Sequence, residues 1–281
     1  MINFNGTILA EKETFLTPNN RAYNYSDGLF ETIRVINGKI MFWEDHYFRL
    51  MASMRILRME IPMSFSPEFL ENEILQLIEE NKLADQSVRV KINIHRKEGG
   101  LYLPTSREIE YIIRTSTLEN PFYTLSEEEN TVELFKDHYI TSGLLSTLKS
   151  TNKIVNILGS IYAEENDYQN CLLLNEKKSV VEALNGNLFL VKDKVIKTPP
   201  LTEGCLNGII RKKLLQIIEK TEGYTIEETP ISPFELQKAD ELFITNTIVG
   251  IKPITKYRKK SYTTHTAKNL LAKLNTKARL D

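Results

Sequence analysis

The sequence predicts a protein of mixed α and β structure (α/β, or α+β) in two domains, the first smaller and the second richer in strands. Three observations predict this. Strand-period and helix-period apolar patterns alternate along the chain. The pattern dissolves once, around Thr117–Ser126, into polar residues with Pro121 and two aromatics. The length of 281 residues suits two modest domains, at roughly 100–200 residues each. The domains are expected at 1–118 and 128–281, joined by a linker at 119–127.

Gly28–Val35 and Lys39–Phe42 are β-branched or aromatic runs around Asn37-Gly38, a pair that accepts the positive φ of a tight hairpin turn. Helical spacing follows over Glu44–Leu57, and again over Pro67–Lys82 through Phe69, Ile74, Leu77 and Ile78. Ser87–Arg96 alternates in the strand period, and Ile109–Thr115 offers it a partner. Past the linker come a strand near Thr131–Phe135, a helix over about Asn152–Glu165, and strands near Cys171–Leu174 and Leu188–Val191. A helix over Asn207–Lys220 and a strand at Glu241–Thr245 complete the reading. No internal repeat or low-complexity tract interrupts it.

Composition narrows the function classes. With 41% hydrophobic and 26% charged residues the chain can bury a core, which excludes a disordered segment. Thirty-six Lys and Arg against 37 Asp and Glu leave a net charge of −1, so no strong field draws nucleic acid or an acidic membrane to it. The apolar runs fall far short of the ~20 residues of a membrane span. Cys171, Cys205 and the scattered His46, His95, His138 and His265 lack paired metal-ligand spacing, so no metal site is expected. Two thiols and no secretory leader pattern point to a reducing cytoplasm.

Four stretches could carry chemistry. Leu206-Asn207-Gly208-Ile209-Ile210-Arg211 heads a predicted helix, where free backbone N–H groups bind anions and glycine permits close approach. In Ser146–Lys153 a lysine precedes a helix, and a lysine in a cleft can condense with an aldehyde once its pKa falls. In Val181–Phe189, Glu182 has apolar neighbours and so calls for a cationic partner. Ser26–Arg34 is followed by Arg49, a side chain able to grip phosphate bidentately. Each alone reads equally as a helix cap, a solvated lysine, a turn glutamate or a surface arginine.

Together, in this order, they are specific. Asp27–Arg34, Asp45-His46 with Arg49-Leu50, Leu148–Asn152, Val181-Glu182 with Asn187–Phe189, Thr198–Pro200, Leu206–Ile209 with Arg211, and Asp240–Phe243 span roughly residues 20–255. The chain resembles the class IV aminotransferases, the fold type IV pyridoxal-phosphate enzymes. That group includes branched-chain and D-amino-acid aminotransferases and 4-amino-4-deoxychorismate lyases. The resemblance implies pyridoxal 5'-phosphate as cofactor, Lys149 as the Schiff-base lysine with Lys153 as its rival, and Glu182 as the carboxylate that keeps the pyridine nitrogen protonated. It makes Arg49, Thr247, and the Ile209 and Ile210 amides at Gly208 the phosphate donors, with Leu206 under the ring. Phe30, Arg96 and Tyr102 are candidates for the substrate side. Many relatives have threonine where Ile210 stands, so Arg49 and Thr247 are expected to carry more of the phosphate contact.

The implied reaction is amino-group transfer between an amino acid and a 2-keto acid. The alternative is elimination of pyruvate from 4-amino-4-deoxychorismate. Asn207–Arg211, Asn246–Pro253 and Gly99-Gly100 resemble the lyase wording, whereas the arginine that lyases often carry near Leu101 is absent. A non-catalytic binding protein on the same fold is the remote alternative, opposed by retention of both Lys149 and Glu182. The resemblance further implies a homodimer.

Overall fold

A computed structural model describes residues 1–13 and 16–280. It divides into two compact units, Met1–Phe122 with Lys149–Asn152, and Tyr123–Leu148 with the chain from Lys153 onward.

The first unit is one antiparallel sheet with helices packed on it. Its elements are β1 (Ile2–Phe4), β2 (Thr7–Leu9), α1 (Arg21–Tyr25), β3 (Gly28–Ile36), β4 (Lys39–Ile40), α2 (Trp43–Ile56), α3 (Pro67–Glu80), β5 (Ser87–Arg96) and β6 (Ile109–Leu118). The strands lie in the order β2-β1-β6-β5-β3-β4. Val88, Val90, Ile92 and Ile94 alternate down β5 and are all fully buried, as a half-buried strand requires. Ser66 caps α3 by accepting the Phe69 N–H, with Pro67 in the first turn where its missing N–H costs nothing.

Two boundaries differ from the sequence reading for local reasons. Phe42 takes a left-handed conformation (φ 56°), which stops β4 at Ile40 and starts α2 at Trp43. β6 runs to Leu118 because that residue still pairs with Ser87, so strand enters the stretch read as loop.

The second unit contains β7 (Thr131–Ile140), α4 (Ile154–Glu165), β8 (Asn170–Asn175), β9 (Val180–Ala183), β10 (Gly186–Lys192), β11 (Val195–Thr198), α5 (Ile209–Glu219), β12 (Thr225–Glu228), α6 (Pro233–Lys238), β13 (Glu241–Asn246), β14 (Gly250–Ile254), β15 (Lys256–Tyr257), β16 (Lys260–Ser261) and α7 (His265–Leu280). Its ten-stranded sheet runs β12-β11-β10-β9-β8-β7-β15-β16, with β13 on β10 and β14 on β13. One face of β7 and β8 (Phe135, Cys171, Leu173) packs under α4 through Ala163. The other face (Leu134, Leu172, Leu174) joins the main core with Leu236, Leu242 and Ile254. No described helix is long and apolar enough to cross a membrane.

Candidate active site

In the first unit, residues 149–152 act as a short extra strand along the start of β3. The Phe30 N–H donates to the Lys149 carbonyl (2.9 Å) and the Thr151 N–H to the Gly28 carbonyl (3.0 Å). The Thr151 hydroxyl adds a bond to the Ser26 carbonyl (2.8 Å). Gly28 permits this approach, since a Cβ there would sit 2.8 Å from the Ile94 carbonyl oxygen and 3.3 Å from the Thr151 methyl. The Lys149 ammonium consequently lies 4.5 Å from the centre of the Phe30 ring, with Lys91 at 4.9 Å from the same ring. Cations are attracted to an aromatic face at such distances.

The next residue of β3, Glu31, is buried and doubly held. Its carboxylate accepts from Arg49 Nε and His46 Nδ1, both at 2.7 Å. His46 and Arg49 stand three residues apart on α2, and so on one face of the helix. Burial alone would raise the Glu31 pKa; Arg49 and His46 outweigh it and hold the carboxyl at about 2. An ionised Glu31 fixes the His46 proton on Nδ1. Burial, partly offset by Glu31, lowers the His46 pKa and keeps the ring neutral. Among the described residues Nε2 has no hydrogen-bond partner. Arg49, expected as a phosphate ligand, thus has one edge of its fork committed to Glu31, a partner the sequence reading did not assign.

Arg96 and Tyr102, the other candidates for the substrate side, lie at the end of β5 and in the loop after it. Arg96 Nε and Nη2 donate to the Asp27 carboxylate at 3.0 and 3.3 Å, and Nη2 and Nη1 donate to the carbonyls of Leu57 (2.9 Å) and Arg58 (3.2 Å). These bonds consume most of the guanidinium's five donors. Arg96 therefore clamps the end of α2 to β5. Asp27, opposed by burial, is held below its ordinary pKa by Arg96 and Arg21. Tyr102 is 91% exposed at a loop tip, its ring 5.7 Å from Tyr25. Arg21 steadies that loop through the carbonyls of Gly99 (3.0 Å) and Leu101 (2.6 Å).

In the second unit, Glu182 on β9 is 9% exposed and accepts the Leu206 N–H at 2.9 Å. Across the β9–β10 hairpin it faces Asn187, which on its other side faces Thr245 of β13. Directly opposed residues share a sheet face, so Glu182, Asn187 and Thr245 form a polar row across otherwise apolar strands. Asn187 Nδ2 donates to the Leu206 carbonyl (2.8 Å), and Thr245 Oγ1 is buried without a partner among the described residues. Leu206 leads into Gly208, the N-cap of α5, where no side chain caps the helix. A Cβ at Gly208 would collide with the pinned Asn187 carboxamide oxygen. The amides of Ile209 and Ile210 begin the helix, at its positive end. Thr247 occupies the β13–β14 turn, where the Tyr123 hydroxyl donates to its carbonyl at 3.1 Å. Lys153 also belongs to this unit, its pKa lowered by burial and partly restored by Glu182.

A family model, "Amino-transferase class IV", matches residues 28–257. The chain belongs to the class IV aminotransferases. It is 29% identical over 265 residues to a D-alanine aminotransferase of Bacillus licheniformis, covering 90% of this chain and 86% of that one. It is 28% identical over 246 residues to an aminodeoxychorismate lyase of Vibrio harveyi, covering 86% and 88%. A branched-chain aminotransferase of Thermoproteus uzoniensis superposes with a TM-score of 0.86 at 23% identity, covering 98% of this chain and 93% of that one. This class IV aminotransferase has the fold type IV architecture, it is an enzyme, and its cofactor is pyridoxal phosphate.

The residues present suit that group. The second unit supplies a buried carboxylate, an orphaned buried hydroxyl and a helix start kept open by a glycine that admits no Cβ. The first supplies a lysine beside an aromatic ring. Asn187 and Thr245 were not singled out from the sequence; each is a polar residue beside an apolar run, Asn187 near the start of β10 and Thr245 near the end of β13.

Proposed function

We propose that the enzyme transfers an amino group between an amino acid and a 2-keto acid, with Lys149 and Glu182 as its catalytic residues. Glu182 carries this reading, being a nearly buried carboxylate held by a backbone N–H three residues before an uncapped helix start. The cofactor, when bound, withdraws electrons from the substrate's Cα and so lets its proton leave. Lys149 Nζ would hold the cofactor and carry the proton to and from the substrate's Cα. Glu182 holds a proton at the ring nitrogen by offering it a charge-assisted hydrogen bond. The Ile209 and Ile210 amides, Arg49 and Thr247 hold the phosphate, and Leu206 supports the ring. Phe30 screens the Lys149 ammonium from water on one side.

A second reading, elimination of pyruvate from 4-amino-4-deoxychorismate, is favoured by the likeness to the Vibrio harveyi lyase. One assay separates the two. The protein with pyridoxal phosphate is given L- and D-amino acids with a keto-acid acceptor, and 4-amino-4-deoxychorismate without one. Acceptor-dependent amino transfer is the expected result; stoichiometric pyruvate without an acceptor would transfer the assignment to the lyase. We also infer a cytoplasmic homodimer. Leu144, Leu145, Ile154, Ile157 and Ile161 are each 45% exposed or more on the second unit, and residues at such helical spacing on α4 share a face. Apolar stripes of this kind mark association surfaces. Light scattering giving a monomer mass would refute the dimer.

A further inference from the structure

The second unit carries a cavity of about 540 Å³ that shares no residue with the candidate active site. Its floor is Leu134, Leu174 and Tyr257, which belong to the main core cluster. Glu182 is paired with Leu173, whose side chain lies on the opposite, α4-facing side. The cavity and the cofactor-side carboxylate therefore occupy opposite faces of one sheet.

Its chemistry is specific. Lys136, Lys178 and Arg258 line it, and no Asp or Glu does. Glu133 offsets Arg258 through a long ion pair (3.4 Å), leaving an excess of two positive charges. The wall is formed by Phe234, 78% exposed at the start of α6. Its ring offers the cavity a flat apolar face. The cavity volume falls within the usual range for small-molecule sites, about 300–1,000 Å³.

We propose that this cavity is a second ligand site, taking a small molecule with a flat aromatic ring and a doubly charged anionic group. The ring lies against Phe234, and the dianion meets Lys136, Lys178 and Arg258. The probe is adenosine monophosphate, titrated calorimetrically into enzyme saturated with pyridoxal phosphate, so that the catalytic phosphate cup is filled. Binding of one probe per chain is expected, with adenosine or inorganic phosphate alone at least about tenfold weaker, since each lacks one half of the recognition. Lys136→Glu with Arg258→Glu should weaken the probe by at least about tenfold, and Phe234→Ala severalfold. Both changes are at exposed positions, and amino-transfer activity should be unchanged. Absence of saturable binding at millimolar probe, equal binding by adenosine or phosphate, or binding indifferent to these substitutions would each overturn the assignment.

Discussion

Arg49 serves two partners on this reading, and the two can be measured apart. Arg49→Ala in the cofactor-free protein removes the Nε and Nη2 donors from Glu31, whose side chain is only 2% exposed. The carboxylate is left with His46 alone. Breaking a buried pair from one side costs about 3–5 kcal/mol, because the remaining charge stays desolvated. Trp43, the single tryptophan, opens the helix that carries His46 and Arg49, so its fluorescence reports unfolding of the first unit specifically. With a urea dependence of about 2 kcal/mol/M, the Trp43 transition should fall by roughly 2 M. Arg49→Lys keeps a charge but loses the fork and should fall by about half as much. Glu31→Gln in the Arg49→Ala background removes the stranded charge and should recover part of the loss, giving a coupling energy that no phosphate can supply. Pyridoxal phosphate titration of the same variants then measures the phosphate contribution, expected at about tenfold or more in affinity. An Arg49→Ala protein whose cofactor-free Trp43 transition matches the parent would refute the ion-pair reasoning. An unchanged cofactor affinity would remove Arg49 from the phosphate site.

Lys149→Ala should abolish borohydride-trappable cofactor while Lys153→Ala retains it; a trapped adduct on Lys149→Ala would end its assignment. Glu182→Gln should bind cofactor nearly normally but turn over much more slowly, and a wild-type rate would exclude an electron-withdrawing role for that carboxylate. Ile210→Thr adds a hydroxyl at the helix start and should bind the cofactor at least as tightly, checked by titration of the cofactor-free form. Acid should weaken the first unit in two stages. His46 has a depressed folded pKa, so its contribution is present above its ordinary 6.5 and is lost as pH falls below that value. Glu31, held at about 2 against an ordinary 4.5, contributes fully above 4.5 and loses that contribution on further acidification. A Trp43 urea midpoint constant between about pH 7 and 3 would contradict both.

The elements that periodicity announces were legible: α2, α3, β5, α4 and α5 all stand within a few residues of where apolar spacing puts them. What was not legible depends on partners distant in sequence. β1, β2, β15 and β16 are two or three residues long, too short for a period to register, and exist because a neighbouring edge supplies hydrogen bonds. The sixteen-residue α7 was passed over although Leu270, Leu274 and Ala278 recur at helical spacing; its Lys- and Thr-rich remainder masked the stripe. The motif order singles out Lys149 and Glu182, but no local pattern says that Glu31 takes Arg49 or that Asp27 takes Arg96. Those pairings span 18 and 69 positions and are decided by which strand lies beside which helix.

The two lysines show how tertiary pairing separates residues that sequence places together. Lys149 and Lys153 are one helical turn apart in number, yet no helix joins them. Backbone bonds from 149–152 to β3 fix the first lysine in the first unit, beside Phe30. Lys153 is the N-cap of α4 in the second unit, where a cation meets the positive end of a helix dipole. Burial there lowers its pKa and the Glu182 field partly restores it. A lysine drawn to Glu182 competes with a ring nitrogen for the same carboxylate, so Lys153 is poorly suited to be the covalent anchor. Lys149 is anchored elsewhere. Its backbone is tied to the strand that carries Phe30 and Glu31, so the ammonium position follows β3 rather than the helix behind it.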